Sequence, residues 1–113
     1  MKNKTLKQLV EDLNFKVLTN EARLDTVPKS AYVSDLLSDV MGKAQEDMLW
    51  ITSQVHKNIV AVASLKDLSA IVIVNERQVD AEVIAHANEE SVTLIVTNKP
   101  MFETTGLIYN YLK

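Results

Sequence analysis

The stretch Met48-Leu-Trp-Ile-Thr-Ser-Gln-Val-His-Lys-Asn-Ile-Val-Ala-Val-Ala-Ser64 decides the fold. Its first residues, Met48 to Ile51, are an apolar run too short for a helix and right for a buried strand. A polar turn follows, Thr52 to Asn58, and apolar residues then return at helical spacing at Ile59, Val60, Val62 and Ala63. Strand, turn and helix in that order place the turn where the strand's carboxyl end meets the helix's amino end. Free backbone N–H groups and the helix dipole favour acceptors and anions there, and ligands of α/β folds gather at that edge.

Downstream, the same unit recurs. Ala70-Ile71-Val72-Ile73-Val74 is apolar without alternation, as expected of a parallel strand covered on both faces. Asn75 to Val79 reads as a turn, and Asp80 as the cap of a helix whose inward face is Val83, Ile84 and Ala87. Val92 to Val96 is the next strand and Thr97 to Pro100 the next turn. Pro100 suits the first helical position of a last helix carrying Met101, Phe102, Thr105, Ile108, Tyr109 and Leu112 toward a core or a partner.

Upstream, Thr5-Leu6-Lys7-Gln8 fits a capping box, and Leu6, Leu9, Val10 and Leu13 line one face of a helix ending near Asn14. Phe15 to Thr19 and Ala31 to Val33 read as short strands, separated by a polar loop over residues 20–30. Ser34 is a candidate N-cap for a helix over Asp35 to Met41, with Gly42 placed to stop it in the left-handed conformation. Alternating strands and helices from Met48 onward predict right-handed crossovers. The expected fold class is α/β: a mainly parallel sheet of about four to five strands with helices on both faces. One domain over residues 1–113 is expected.

Composition narrows the function classes. Only two glycines are present, Gly42 and Gly106, and they stand apart, so no Gly-rich phosphate cradle can form. The formal charge is −3 and the lysines are scattered apart from Lys2, Lys4 and Lys7, which argues against nucleic acid as a partner. Without cysteine there are no disulfides, iron–sulfur clusters or thiolate zinc sites. No run nears the roughly 20 apolar residues of a membrane span, and the segment after the basic Met1–Thr5 is amphipathic, unlike a signal peptide. A soluble cytoplasmic protein, not embedded in a membrane, is expected.

Reactive constellations are missing. His86 has no companion motif, and Asp35 with Asp39, one helical turn apart, reads better as a solvated face than as a chelating pair. No metal and no cofactor is predicted, and no catalytic residue is assigned. An enzyme acting through His56 would need an oriented partner that the sequence does not supply. Three turns share the strand-end edge instead, at residues 52–58, 75–78 and 97–99. The candidate ligand-binding residues are Thr52, Gln54, His56, Lys57, Asn58, Asn75, Thr97 and Asn98. They suit a small polar ligand, a nucleotide or another anion among them, although Thr and Asn are also ordinary helix-capping residues. Assembly is a further class: Trp50, Phe102, Ile108, Tyr109 and Leu112 are candidate interface residues, because a helix apolar on more than one side needs a second surface. A homodimer is the expected partner arrangement, with a different protein partner as the other.

Tyr32-Val33-Ser34-Asp35-Leu36-Leu37-Ser38-Asp39-Val40-Met41-Gly42-Lys43-Ala44, then Trp50-Ile51-Thr52, then Asn58 to Leu65 resembles the DRTGG-domain family. That family includes small stand-alone proteins related to the amino-terminal domain of HPr kinase/phosphorylase, and the resemblance runs from the first helix to the last. It implies an α/β domain with a mainly parallel sheet, a tendency to dimerise and a regulatory, non-catalytic role. Such domains accompany CBS domains or phosphate acetyltransferase catalytic domains, and similar stand-alone members occur beside iron hydrogenase and redox-regulatory genes. The kinase activity of HPr kinase is not implied, since it belongs to a separate P-loop domain. This chain departs from the family pattern after the central strand. There Ser53-Gln54-Val55-His56-Lys57 replaces the glycines and the Asp-Arg pair of many members, leaving His56 and Lys57 as side-chain substitutes for a close backbone approach.

Overall fold

The computed structural model describes residues 4–20 and 23–113. Lys2 of the lysine cluster and residues 21 and 22 of the predicted loop lie outside the described residues. Helix α1 spans Leu6–Leu13 and starts on the predicted capping box: Thr5 Oγ1 accepts the Gln8 N–H at 3.2 Å while Gln8 Oε1 accepts the Thr5 N–H at 2.9 Å. Two more first-turn donors, Leu6 N–H and Lys7 N–H, reach Thr26 O and Leu24 O, so the following loop finishes the cap. Asn14, left-handed at φ 60°, ends the helix.

Strands β1 (Lys16–Val17), β2 (Ser30–Val33), β3 (Met48–Thr52), β4 (Ala70–Ile73) and β5 (Leu94–Val96) form one sheet in the order β1-β5-β4-β3-β2. β2 to β5 are parallel, and β1 joins β5 antiparallel. β1 is shorter than the predicted Phe15 to Thr19, because the Thr19 hydroxyl accepts the Leu94 N–H at 3.1 Å and so takes the place of a ladder carbonyl.

Each crossover from β2 to β5 moves one strand onward in the same direction. Right-handed connections then put α2 (Leu37–Lys43), α3 (Asn58–Lys66) and α4 (Ala81–Glu89) on one face. α1 and α5 (Met101–Leu112) cover the other. The strands supply both faces by alternation: Trp50, Ile71 and Leu94 pack under α2 to α4, while Ile51, Val72 and Ile95 pack under α1 and α5. That double covering explains the unbroken apolar run at Ala70 to Val74.

Several expectations change. α2 begins at Leu37, since Ser34 Oγ accepts the Leu36 N–H in a tight turn and Asp35 points to the neighbouring loop. Gly42 lies within that helix with an ordinary φ, and extended Ala44 ends it. Pro100 sits just before α5 as its N-cap residue. Trp50 and Ile108, read as interface candidates, are enclosed in the two cores, although Ile108 reaches the floor of a groove between α5 and β2. The indole N–H donates to Ser34 O at 2.8 Å, which lets the ring be buried whole. On α5, Thr104 is the buried threonine, its hydroxyl satisfied by Pro100 O at 2.8 Å. Phe102 and Tyr109 point outward, 93% and 67% exposed, and are not core residues. Leu112 is half-buried beside Tyr111, whose phenol donates to Asp12 and ties α5 to α1. Burial and that carboxylate push the Tyr111 pKa up to about 12. Among the described residues, no helix is long and apolar enough to cross a membrane.

Candidate functional site

Four connections meet at the carboxyl rim of the parallel strands. The β2–α2 turn (residues 34–36) and the β3–α3 turn (residues 53–57) are fastened by Asp35. Its carboxylate accepts the Thr52 hydroxyl at 2.7 Å, the Ser53 N–H at 2.8 Å and the Ser53 hydroxyl at 2.9 Å. Gln54 Nε2 adds a bond to Asp35 O at 3.2 Å. Partial burial disfavours the charged carboxylate, but these hydrogen bonds and the Arg77 charge outweigh it, and the Asp35 pKa falls below its ordinary 3.8.

The β4–α4 connection (residues 74–80) is bonded to the β5–α5 turn (residues 97–100). Asn75 N–H donates to Lys99 O at 2.9 Å and Glu76 N–H to Thr97 O at 3.0 Å. Both donors aim correctly because Asn75 and Glu76 are left-handed in succession, at φ 67° and 53°. Asn tolerates that conformation; Glu does so at a cost of about 1–2 kcal/mol. Arg77 then turns back toward the β3–α3 turn, its Nη1 donating to Ser53 O at 2.7 Å. One chain of contacts therefore runs from Asp35 through Ser53 to Arg77.

Beyond Arg77 a cleft of about 530 Å³ opens between these two loops and β1. Among the described residues, Lys16, Arg77 and Lys99 bring positive charge to it and Glu76 the one carboxylate; Asn14, Gln78, Thr97 and Asn98 contribute neutral polar groups. Leu18, Val79, Ile84 and Val96 form an apolar side. The size is that of a small-molecule site. Three cations against one carboxylate make the cleft positive on a chain whose net charge is −3.

The candidate residues divide. Thr97 and Asn98 line the cleft. Asn75 builds its wall through the backbone bond to Lys99. Thr52 is fully buried and, with Gln54, serves the Asp35 fastening. His56, Lys57 and Asn58 are exposed at the start of α3, where His56 Nδ1 accepts the Asn58 N–H at 3.2 Å. Lys57 borders a different hollow, with Glu82 and His86. Asp35, Arg77, Lys16 and Lys99 were not among the candidates. Lys99 and Arg77 lie inside turns the pattern marked; Lys16 reaches the site only through the antiparallel pairing of β1 with β5. Among the described residues, no three His, Asp or Glu side chains are grouped to hold a metal ion. Asp39 is instead engaged by the Tyr32 hydroxyl at 2.8 Å, which lowers its pKa.

No curated protein matches the chain. Among solved structures, it is similar to the CBS and DRTGG domains of the regulatory region of Clostridium perfringens pyrophosphatase, a structure complexed with the activator diadenosine tetraphosphate. The TM-score is 0.77 at 17% identity, over 92% of this chain and 45% of that one. This chain thus spans less than half the length of its structural neighbour, and the likeness is one of fold. A family model described as the DRTGG domain matches residues 8–111. With nearly the whole sequence matched and the same fold in a solved DRTGG-containing region, the chain belongs to the DRTGG-domain family.

Proposed function

We propose that the protein is a non-catalytic, cytoplasmic regulatory module that dimerises and takes a small anionic ligand in the cleft between the β4–α4 and β5–α5 loops. The carrying observation is a positive, part-apolar cleft at the strand-end rim of an acidic chain. The solved regulatory region with the same fold, crystallised with an activator, supports the reading. A link to redox or hydrogenase regulation rests on the family resemblance alone.

A thermal-shift panel of nucleotides, sugar phosphates, carboxylates and amino acids tests it. A ligand at 100 times its Kd adds about 2.7 kcal/mol to the native state, a rise of several degrees for a domain of this size. Asn98→Trp, at an exposed cleft position, should remove the shift and leave the ligand-free midpoint unchanged. A panel without a shift contradicts the proposal.

Dimerisation is supported by the outer side of α5 with the free edge of β2. Phe102, Tyr109 and Val33 are exposed apolar groups there, beside a groove of about 240 Å³ between the two elements. Phe102→Glu should convert a sedimenting dimer to a monomer without unfolding it. A wild-type protein that sediments as a monomer at 100 µM or more (roughly, the upper range for weak dimers) contradicts this part.

A further inference from the structure

We propose that the cleft is a nucleoside-phosphate site, with the phosphate held by Lys16, Arg77 and Lys99 and the base laid on the apolar side formed by Val79 and Ile84. The proposal deepens the ligand-binding reading above and rests on it. Three observations narrow the ligand from anion to nucleotide.

The first concerns the cations. Lys29, Lys43 and Arg23 each have a carboxylate within ion-pair distance, at 3.5, 3.6 and 3.3 Å. Among the described residues, Lys16, Arg77 and Lys99 have none; other lysines such as Lys57 and Lys66 also lack one, but these three line a single cleft. Like charges brought together without counter-charge repel, and an anion between them removes that repulsion. Arg77 is already oriented: one of its five donors is used on Ser53 O at 2.7 Å, and the planar fork leaves others for phosphate oxygens.

The second is the apolar side. Val79, Ile84, Leu18 and Val96 are partly buried against the main core, so they are held in place and leave apolar surface open to the cleft. Inorganic phosphate has nothing to lay on it. A heteroaromatic ring does.

The third is Glu76. Among the described residues of the lining it is the one carboxylate, a side chain that offers acceptors. Beside three cations it disfavours a bare polyanion and favours a ligand that brings O–H or N–H donors with its phosphates. Ribose hydroxyls and base amino groups are such donors. The backbone of Glu76 is fixed in the left-handed region by its bond to Thr97 O, so the carboxylate is presented from a rigid wall.

Calorimetric titration of the full chain at low salt with ADP, GDP, adenosine and pyrophosphate is the test. ADP or GDP should bind, with adenosine and pyrophosphate each at least roughly tenfold weaker, the usual loss when one charge-assisted contact or one buried ring is removed. Lys16→Gln with Lys99→Gln should weaken nucleotide binding at least roughly tenfold, with a ligand-free melting temperature no lower than wild type because the repulsion between the cations is relieved. Glu76→Gln should tighten pyrophosphate more than ADP and so narrow the gap between them. Pyrophosphate or adenosine binding as tightly as ADP overturns the proposal, as does a Lys16, Lys99 double variant with wild-type affinity. If neither nucleotide binds at millimolar concentration while another panel ligand gives a shift that Asn98→Trp abolishes, the nucleotide proposal falls and the broader ligand reading stands. If nothing in the panel shifts the protein, both fall.

Discussion

Trp50→Ala should lower the unfolding free energy by about 3–5 kcal/mol, the usual loss for a fully buried aromatic side chain. The ring is completely enclosed between β3 and the α2–α3 layer, and its N–H is satisfied by Ser34 O at 2.8 Å. Truncation leaves a cavity between the sheet and the helices and frees the carbonyl that anchors the β2–α2 turn. Against a typical domain stability of roughly 5–15 kcal/mol, the variant would be marginal. Trp50→Phe should lose less, since most of the volume is kept and only the hydrogen bond goes. Urea unfolding measures both. The loss should not depend on protein concentration, because Trp50 is buried within one chain. A loss that grew on dilution would place the ring between two copies and contradict the burial described here.

Asp35→Ala comes next, at about 1–2 kcal/mol. Hydrogen bonds to a charged acceptor are worth more than neutral ones, but solvent reaches this carboxylate and screens it. Its removal leaves the buried Thr52 hydroxyl without its acceptor and detaches the β2–α2 turn from the β3–α3 turn. The pH dependence follows from the depressed pKa. A carboxylate whose folded pKa lies below its unfolded value contributes stability above the unfolded value, here the ordinary 3.8, and loses it as pH falls through the folded one. The gap between wild type and Asp35→Asn should therefore be full above about pH 4 and close as the pH falls further. Urea midpoints between about pH 2.5 and 7, a range that spans the ordinary carboxylate pKa, measure it. A gap that stays constant across that range would mean the charge contributes nothing.

The parts of the fold that local pattern controls were legible. The capping box at Thr5, the stop at Asn14, the continuous apolar strand at Ala70 and the order of elements from Met48 all depend on neighbours within a few residues. What was not legible depends on contacts across the chain. Ser34 has the chemistry of an N-cap, and only the pull of Thr52 and Ser53 on Asp35, 17 and 18 residues away, delays the helix to Leu37. Trp50 looked like an interface residue because nothing local says that Ser34 O will meet its indole N–H. The candidate site shifted for a related reason. The Thr52 to Asn58 turn does open a helix at the strand-end rim, but its polar groups are spent on Asp35 and on the start of α3. The cleft lies one and two loops further along, where an antiparallel edge strand brings Lys16 to the same cleft as Lys99.

A titration of the 15N-labelled protein with ADP, followed by amide shifts, locates the seat of the ligand directly. Saturable changes are expected at Lys16, at Glu76 to Val79 and at Thr97 to Lys99, with His56 to Asn58 unmoved. Changes centred on the start of α3 or on the Phe102–Tyr109 side of α5, with the cleft amides silent, would contradict a seat in the cleft.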